Sequence, residues 1–134
     1  MKKRIRLIAS ELDGTLLLNG AQNLRPGTCR LVHDLTRKGV YFLAASGRQY
    51  PNLRRLFAPV QGEIGYICEN GCLSFFQGEM IHKEIMEREL GQEILHAIQE
   101  KEGCEILLSG ANTSYLQPKD MAYYYHMRDV VRNN

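Results

Sequence analysis

Residues 8–18 read IASELDGTLLL, an apolar run that meets two carboxylates, Glu11 and Asp13, and then a glycine. A short apolar run closed by a turn signal predicts a buried strand over residues 5–10, with Arg6 the exception near its start. Strand side chains alternate, so Glu11 and Asp13 are expected on one side and Leu12 on the core side. Gly14 lets the backbone turn sharply there.

Working outward, residues 19–25 are polar and read as loop. Pro26 is expected to open a helix, where its missing N–H is harmless. Cys29, Val32 and Leu35, or Leu31 and Leu35, give that helix an apolar face, and Lys38-Gly39 ends it. Residues 40–46, VYFLAAS, read as a second buried strand. Leu53, Leu56 and Phe57 mark a short helix between Pro51 and Pro59. Residues 65–71, GYICENG, read as a third strand ending in a turn. Strand, helix, strand, helix, strand is the pattern of a parallel sheet with helices packed on it. CLSFFQGEMIHKE then reads as a hairpin with Gln77-Gly78 at its tip.

The later residues change character. Met86, Leu90, Ile94 and Ile98 recur every four residues, which predicts an amphipathic helix ending at Gly103. CEILLSG and TSYLQ read as short strands, and DMAYYYHMRDVV as a helix whose tyrosine run also suits a strand. The expected domains are residues 1–84 and 85–134.

Two acids at the carboxyl end of the first strand stand where open parallel sheets bind ligands. Their mutual repulsion is relieved by a divalent cation, and hard oxygen donors suit Mg²⁺. The second strand ends in ASGRQ, so the Ser46 hydroxyl and neighbouring N–H groups can hold a phosphate oxygen at the start of the next helix.

SELDGTLL resembles the first motif of haloacid dehalogenase-type phosphatases, D-x-D-G-T. AASGR resembles their second motif, and YICENG with its hairpin resembles the Cof-type branch, which carries a large α/β cap. The resemblance covers the whole chain but about half of such a protein. It implies a Rossmann-like core, residues 1–84, followed by the start of an α/β cap, residues 85–134. It implies a Mg²⁺-dependent phosphatase acting on a small phosphorylated metabolite through an acyl-phosphate intermediate. Glu11 takes the nucleophile position and Asp13 that of the general acid/base. Ser46, Gly47 and Gly14 become phosphate-binding, and the metal falls to Glu11 and the Asp13 backbone carbonyl. Arg48 and Asn70 are candidate substrate contacts.

The sequence departs from the family pattern at Glu11, where an aspartate is expected. One added methylene shifts the carboxylate by about a bond length, and a 1 Å misplacement can cost ~100-fold in rate. The lysine and acidic cluster of the family's later motifs have no counterpart here. Lys119, Asp120 and Asp129 read as surface charges. A non-catalytic relic, or a metal- and phosphate-binding module without turnover, is therefore the alternative. In the family the first strand is central, so here one of its edges is expected to lack a partner. Instability, a homodimer through that edge, or a proteolytic origin would follow.

Composition excludes other classes. The chain is 44% hydrophobic with a net charge of +2, too small to argue for a nucleic-acid partner. Lys2-Lys3-Arg4 reads as a solvated lead-in. No run approaches the ~18 apolar residues of a membrane span, and a cytoplasmic location is expected. Cys29, Cys68, Cys72 and Cys104 lack zinc-ligand spacing. Cys68 and Cys72 flank CENGC and read as reduced thiols rather than a redox pair.

Overall fold

The computed structural model describes residues 4–131, and the chain divides into two units, Met1–Lys83 and Glu84–Asn134. Lys2 and Lys3 of the basic lead-in lie outside the described residues. Arg4 donates from Nη2 to the Lys38 carbonyl at 3.4 Å.

The first unit is α/β with a Rossmann-like core. β1 (Leu7–Glu11), β2 (Tyr41–Ala45) and β3 (Gly65–Cys68) run parallel. β4 (Leu73–Phe76) and β5 (Glu79–Lys83) extend the sheet antiparallel, in the order β1-β2-β3-β4-β5. α1 (Thr28–Arg37) and α2 (Tyr50–Leu56) form the crossovers. Both crossovers advance the sheet in the same direction, and right-handed connections of that kind place both helices on one face. Phe42, Ala44, Tyr66 and Cys68 are buried, whereas Leu43, Ala45 and Ile67 on the opposite face are half-buried.

An aromatic cluster seats α2 on the sheet. Tyr50 stacks on Phe75 with ring centroids 3.6 Å apart and meets Tyr66 edge-on at 5.3 Å. Phe57 packs against Phe42 and Tyr66. Such pairs add about 0.5–1.5 kcal/mol each beyond the area they bury. Because α2 begins two residues after Arg48, this packing also fixes the loop that follows β2.

Several sequence expectations are corrected. The first strand is not a buried strand over residues 5–10. It spans Leu7–Glu11 and is an edge strand, with Leu7, Ala9 and Glu11 exposed, because among the described residues it pairs only with β2. Pro26 does not open α1. Gly27 stands between them at φ 87°, a left-handed residue that a helix cannot contain, so the helix starts at Thr28. The buried face of α1 is Val32 with half-buried Cys29 and Leu35; Leu31 is 62% exposed. α2 ends at Leu56, and Pro59 lies inside a separate 3-10 turn, Ala58–Val60. The hairpin turn at Gln77-Gly78 has φ of 51° and 86°, the pair of positive values that fits the twist of a two-residue hairpin.

In the second unit, α3 (Arg88–Gln99) starts after Met86, so its apolar stripe runs through Leu90, Ile94 and Ile98. β6 (Leu107–Ser109) pairs antiparallel with β7 (Ser114–Leu116). α4 (Met121–His126) is a helix and not a strand. The Asp120 carboxylate caps it, accepting from the Ala122 N–H at 2.9 Å, and a π-turn, Met127–Val131, follows. No side chain described in this unit is fully buried. No helix among the described residues is long and apolar enough to cross a membrane.

Candidate functional site

The turn after β1 is built on Leu12, whose side chain is fully buried, and Leu17 is buried as well. The Leu12 carbonyl accepts from the N–H groups of Thr15, Leu16 and Leu17 at 3.1, 2.9 and 2.8 Å. Gly14, at φ 82°, donates to the Leu17 carbonyl at 2.9 Å. These bonds bracket Asp13 in a parallel bridge with Leu17. In such a bridge the bracketed residue's own carbonyl points to the other side. The Asp13 carbonyl oxygen thus takes part in none of the bonds that close the turn.

The loops after β2 and β3 are stitched together. The buried Ser46 donates its N–H to Ile67 at 2.9 Å and accepts at its carbonyl from Asn70 at 3.3 Å. The Glu69 N–H reaches the Arg48 carbonyl at 3.2 Å, and the Arg48 N–H reaches Ser46 Oγ at 3.2 Å. To make these contacts the chain adopts left-handed backbone at three successive residues: Glu69 (φ 50°), Asn70 (φ 55°) and Gly71 (φ 102°). For a non-glycine residue that conformation costs roughly 1–2 kcal/mol. Gly47 meets the Asn70 side chain so closely that a Cβ there would stand 2.8 Å from Asn70 Oδ1.

The result is an open cleft of about 250 Å³ at the carboxyl ends of the parallel strands. Glu11, Ala45, Ser46, Ile67, Asn70 and Gly71 line it. The structure therefore brings together Glu11, Ser46 and Asn70, and it sets Gly47 against Asn70. The two acids are engaged differently. Glu11 folds back, and its Oε1 accepts from the Leu12 N–H at 3.0 Å. Asp13 sits in the fork of Arg48: Nε donates to Oδ2 at 2.9 Å and Nη2 to Oδ1 at 2.7 Å. Arg48 Nη1 donates to the buried Asn52 Oδ1 at 3.2 Å. Asn52 is the residue that sequence reasoning missed. Arg48 lies two residues before α2, so helical spacing gave no signal for this pair.

Other candidates are located as well. All four cysteines are free thiols. Burial pushes the Cys68 thiol up to about 12, and the neighbouring Glu69 adds to the push, so Cys68 is protonated at neutral pH. Lys119 is exposed, as expected of a surface charge. Its Nζ donates to the carbonyls of Ile98 and Lys101 at 2.9 and 2.7 Å, closing the C-terminal end of α3. Among the described residues, no three His, Cys, Asp or Glu side chains are grouped to hold a metal. The hard donors at the strand ends are the Glu11 carboxylate and the Asp13 carbonyl. Two oxygens suit an ion such as Mg²⁺, which keeps several waters.

The family model described as haloacid dehalogenase-like hydrolase matches residues 8–134. The 5-amino-6-(5-phospho-D-ribitylamino)uracil phosphatase YbjI of Escherichia coli (strain K12) is 27% identical, over 96% of this chain and 50% of that protein. A phosphoglycolate phosphatase of Sulfolobus acidocaldarius is 33% identical, over 63% of this chain and 37% of that protein. A solved structure from Eubacterium rectale shares the fold with a TM-score of 0.86 at 23% identity, over 97% of this chain and 49% of that one. A haloacid dehalogenase-like hydrolase from B. subtilis shares it with a TM-score of 0.73 at 21% identity, over 89% and 41%. The chain spans about half the length, or less, of these relatives.

Proposed function

The chain belongs to the haloacid dehalogenase-like hydrolase family, and from that premise we propose that it carries part of the active site of a Mg²⁺-dependent phosphatase. On this reading residues 1–84 supply the core and residues 85–134 the start of an α/β cap. The substrate class is a small phosphorylated metabolite, as the names of the phosphatase relatives suggest. The observation that carries the reading is the meeting of Glu11, Ser46 and Asn70 on one cleft, with Asp13, two residues after Glu11, held by Arg48.

The family resemblance implies the chemistry of this reading. A Glu11 carboxylate oxygen attacks phosphorus, the bond to the ester oxygen breaks, and an acyl-phosphate forms on Glu11. On this reading one Asp13 oxygen leaves the Arg48 fork to carry the proton that it gives to the departing oxygen, and Asp13 then takes a proton from the water that attacks the acyl-phosphate. Inorganic phosphate leaves and the Glu11 carboxylate is restored. On this reading the Ser46 hydroxyl, the Gly47 N–H and the Asn70 amide hold phosphate oxygens, and Gly14 lets the backbone turn after Asp13. Mg²⁺ would be held by the Glu11 carboxylate and the Asp13 carbonyl, and when bound it offsets the charge of the transferred phosphoryl group.

One observation favours a second reading, a site that binds metal and phosphate without turnover. Glu11 reaches one methylene further than aspartate, and its Oε1 is turned onto the Leu12 N–H. The Glu11→Asp variant tests both readings with p-nitrophenyl phosphate and Mg²⁺. The phosphatase reading predicts measurable hydrolysis by the chain, rising by up to ~100-fold in the variant as the carboxylate gains its attack position. Equal rates would show that Glu11 placement does not limit transfer. No hydrolysis by either form, with phosphate still bound, selects the second reading.

A further inference from the structure

Asp13 stands on an exposed turn, with 54% of its side chain open to solvent. Nothing in its own loop fixes the direction of its carboxylate. That direction is set from 35 residues away by Arg48, which grips both carboxylate oxygens. A two-point grip alone leaves the guanidinium free to swing with its partner. The third contact removes that freedom, because Nη1 is held by Asn52, which is only 3% exposed on the first turns of α2. The Asn52 N–H is itself tied to the Gln49 carbonyl at 3.1 Å, and α2 is seated by the stacked pair of Tyr50 and Phe75. A planar group bound at Nε, Nη1 and Nη2 has its plane fixed.

We propose that Asn52 is a positioning residue for Asp13: its buried side-chain carbonyl holds the Arg48 guanidinium in the plane from which the remaining fork orients the Asp13 carboxylate. The functional meaning rests on the acid/base reading of Asp13, but the geometry can be tested without turnover. Arg48 thereby serves Asp13 and is engaged before any substrate arrives.

The test is side-chain NMR of the full chain with no ligand added. Asn52→Leu keeps the volume and removes the acceptor. The Arg48 Nε–H resonance should move toward that of a free arginine, with solvent exchange faster by roughly tenfold, the scale of one lost hydrogen bond to a charged group. The χ1 couplings of Asp13 should change from a single rotamer to an average. Arg54, whose Nε donates to Gln61 at 3.1 Å, is the internal control and should not move. Asn52→Asp retains the acceptor oxygen and should restore both signals. If Asn52→Leu does not fold, Asn52→Gln displaces the acceptor by one methylene and should loosen Arg48 in the same way. Unchanged Arg48 exchange and unchanged Asp13 couplings in the folded variant overturn the proposal. Phosphate binding and hydrolysis are separate measurements, so failure of the phosphatase reading would leave this result distinguishable.

Discussion

Gly47 shows how one missing methyl group shapes the cleft. It is not a left-handed glycine; its need is space, because the Asn70 amide fills the position a Cβ would take. Gly47→Ala should push the Asn70 side chain out of the cleft while leaving the sheet intact. The expected loss is about 1 kcal/mol of phosphate binding, roughly fivefold in Kd, measured by titration with inorganic phosphate. An unchanged Kd would mean that Asn70 does not hold phosphate. Glu11, Asp13 and Ser46 were legible in the sequence because each ends or follows an apolar run. Arg48's partner was not, since a contact spanning 35 residues leaves no local pattern. Nor was the fold-back of Glu11, which depends on a rotamer.

Among the elements, α1 is tied to the connection before β3 by a surface cluster. His33 Nδ1 meets both Glu63 carboxylate oxygens at 2.9 and 2.8 Å, and Thr36 donates to Glu63 Oε2 at 2.8 Å. The His33 contact first, and then the Thr36 hydroxyl, hold the Glu63 carboxyl below its ordinary value of 4.5. A carboxyl lowered on folding stabilises the native state above that value. The contribution is lost as pH falls through the folded value. Glu63→Gln should therefore lower Tm at pH values above 4.5, with a deficit that closes as pH falls through the folded value, so that the two curves converge in acid. The effect is small because the pair is solvent-exposed. Parallel wild-type and variant curves below pH 4.5 would contradict this. The alternation of strand and helix and the hairpin were legible from periodicity and turn residues. The start of α1 was not, because Pro26 signals a helix start while Gly27, one residue later, denies it. The exposure of β1 was not, because an apolar run reports composition and not whether a neighbour is present.

At the scale of the molecule, β1 has its only sheet partner among the described residues in β2, and Leu7 on this edge is 52% exposed. An unpaired edge of this kind is a template for another strand. A protein of these 134 residues should therefore self-associate with rising concentration. Replacing Ala9 with proline, which cannot donate to a ladder, should shift it toward monomer in sedimentation. A wild-type chain that stays monomeric at high concentration would contradict this. The candidate site of the first unit is the cleft at the carboxyl ends of the parallel strands, lined by Glu11, Ser46 and Asn70. The measurement that tests this most directly is amide NMR of the first unit's resonances in the full chain during titration with Mg²⁺ and inorganic phosphate. Saturable shifts at Glu11, Asp13, Ser46, Gly47 and Asn70, with phosphate binding weakened by removal of Mg²⁺, are the predicted result. Shifts absent from these residues, or clustered elsewhere, would contradict the account.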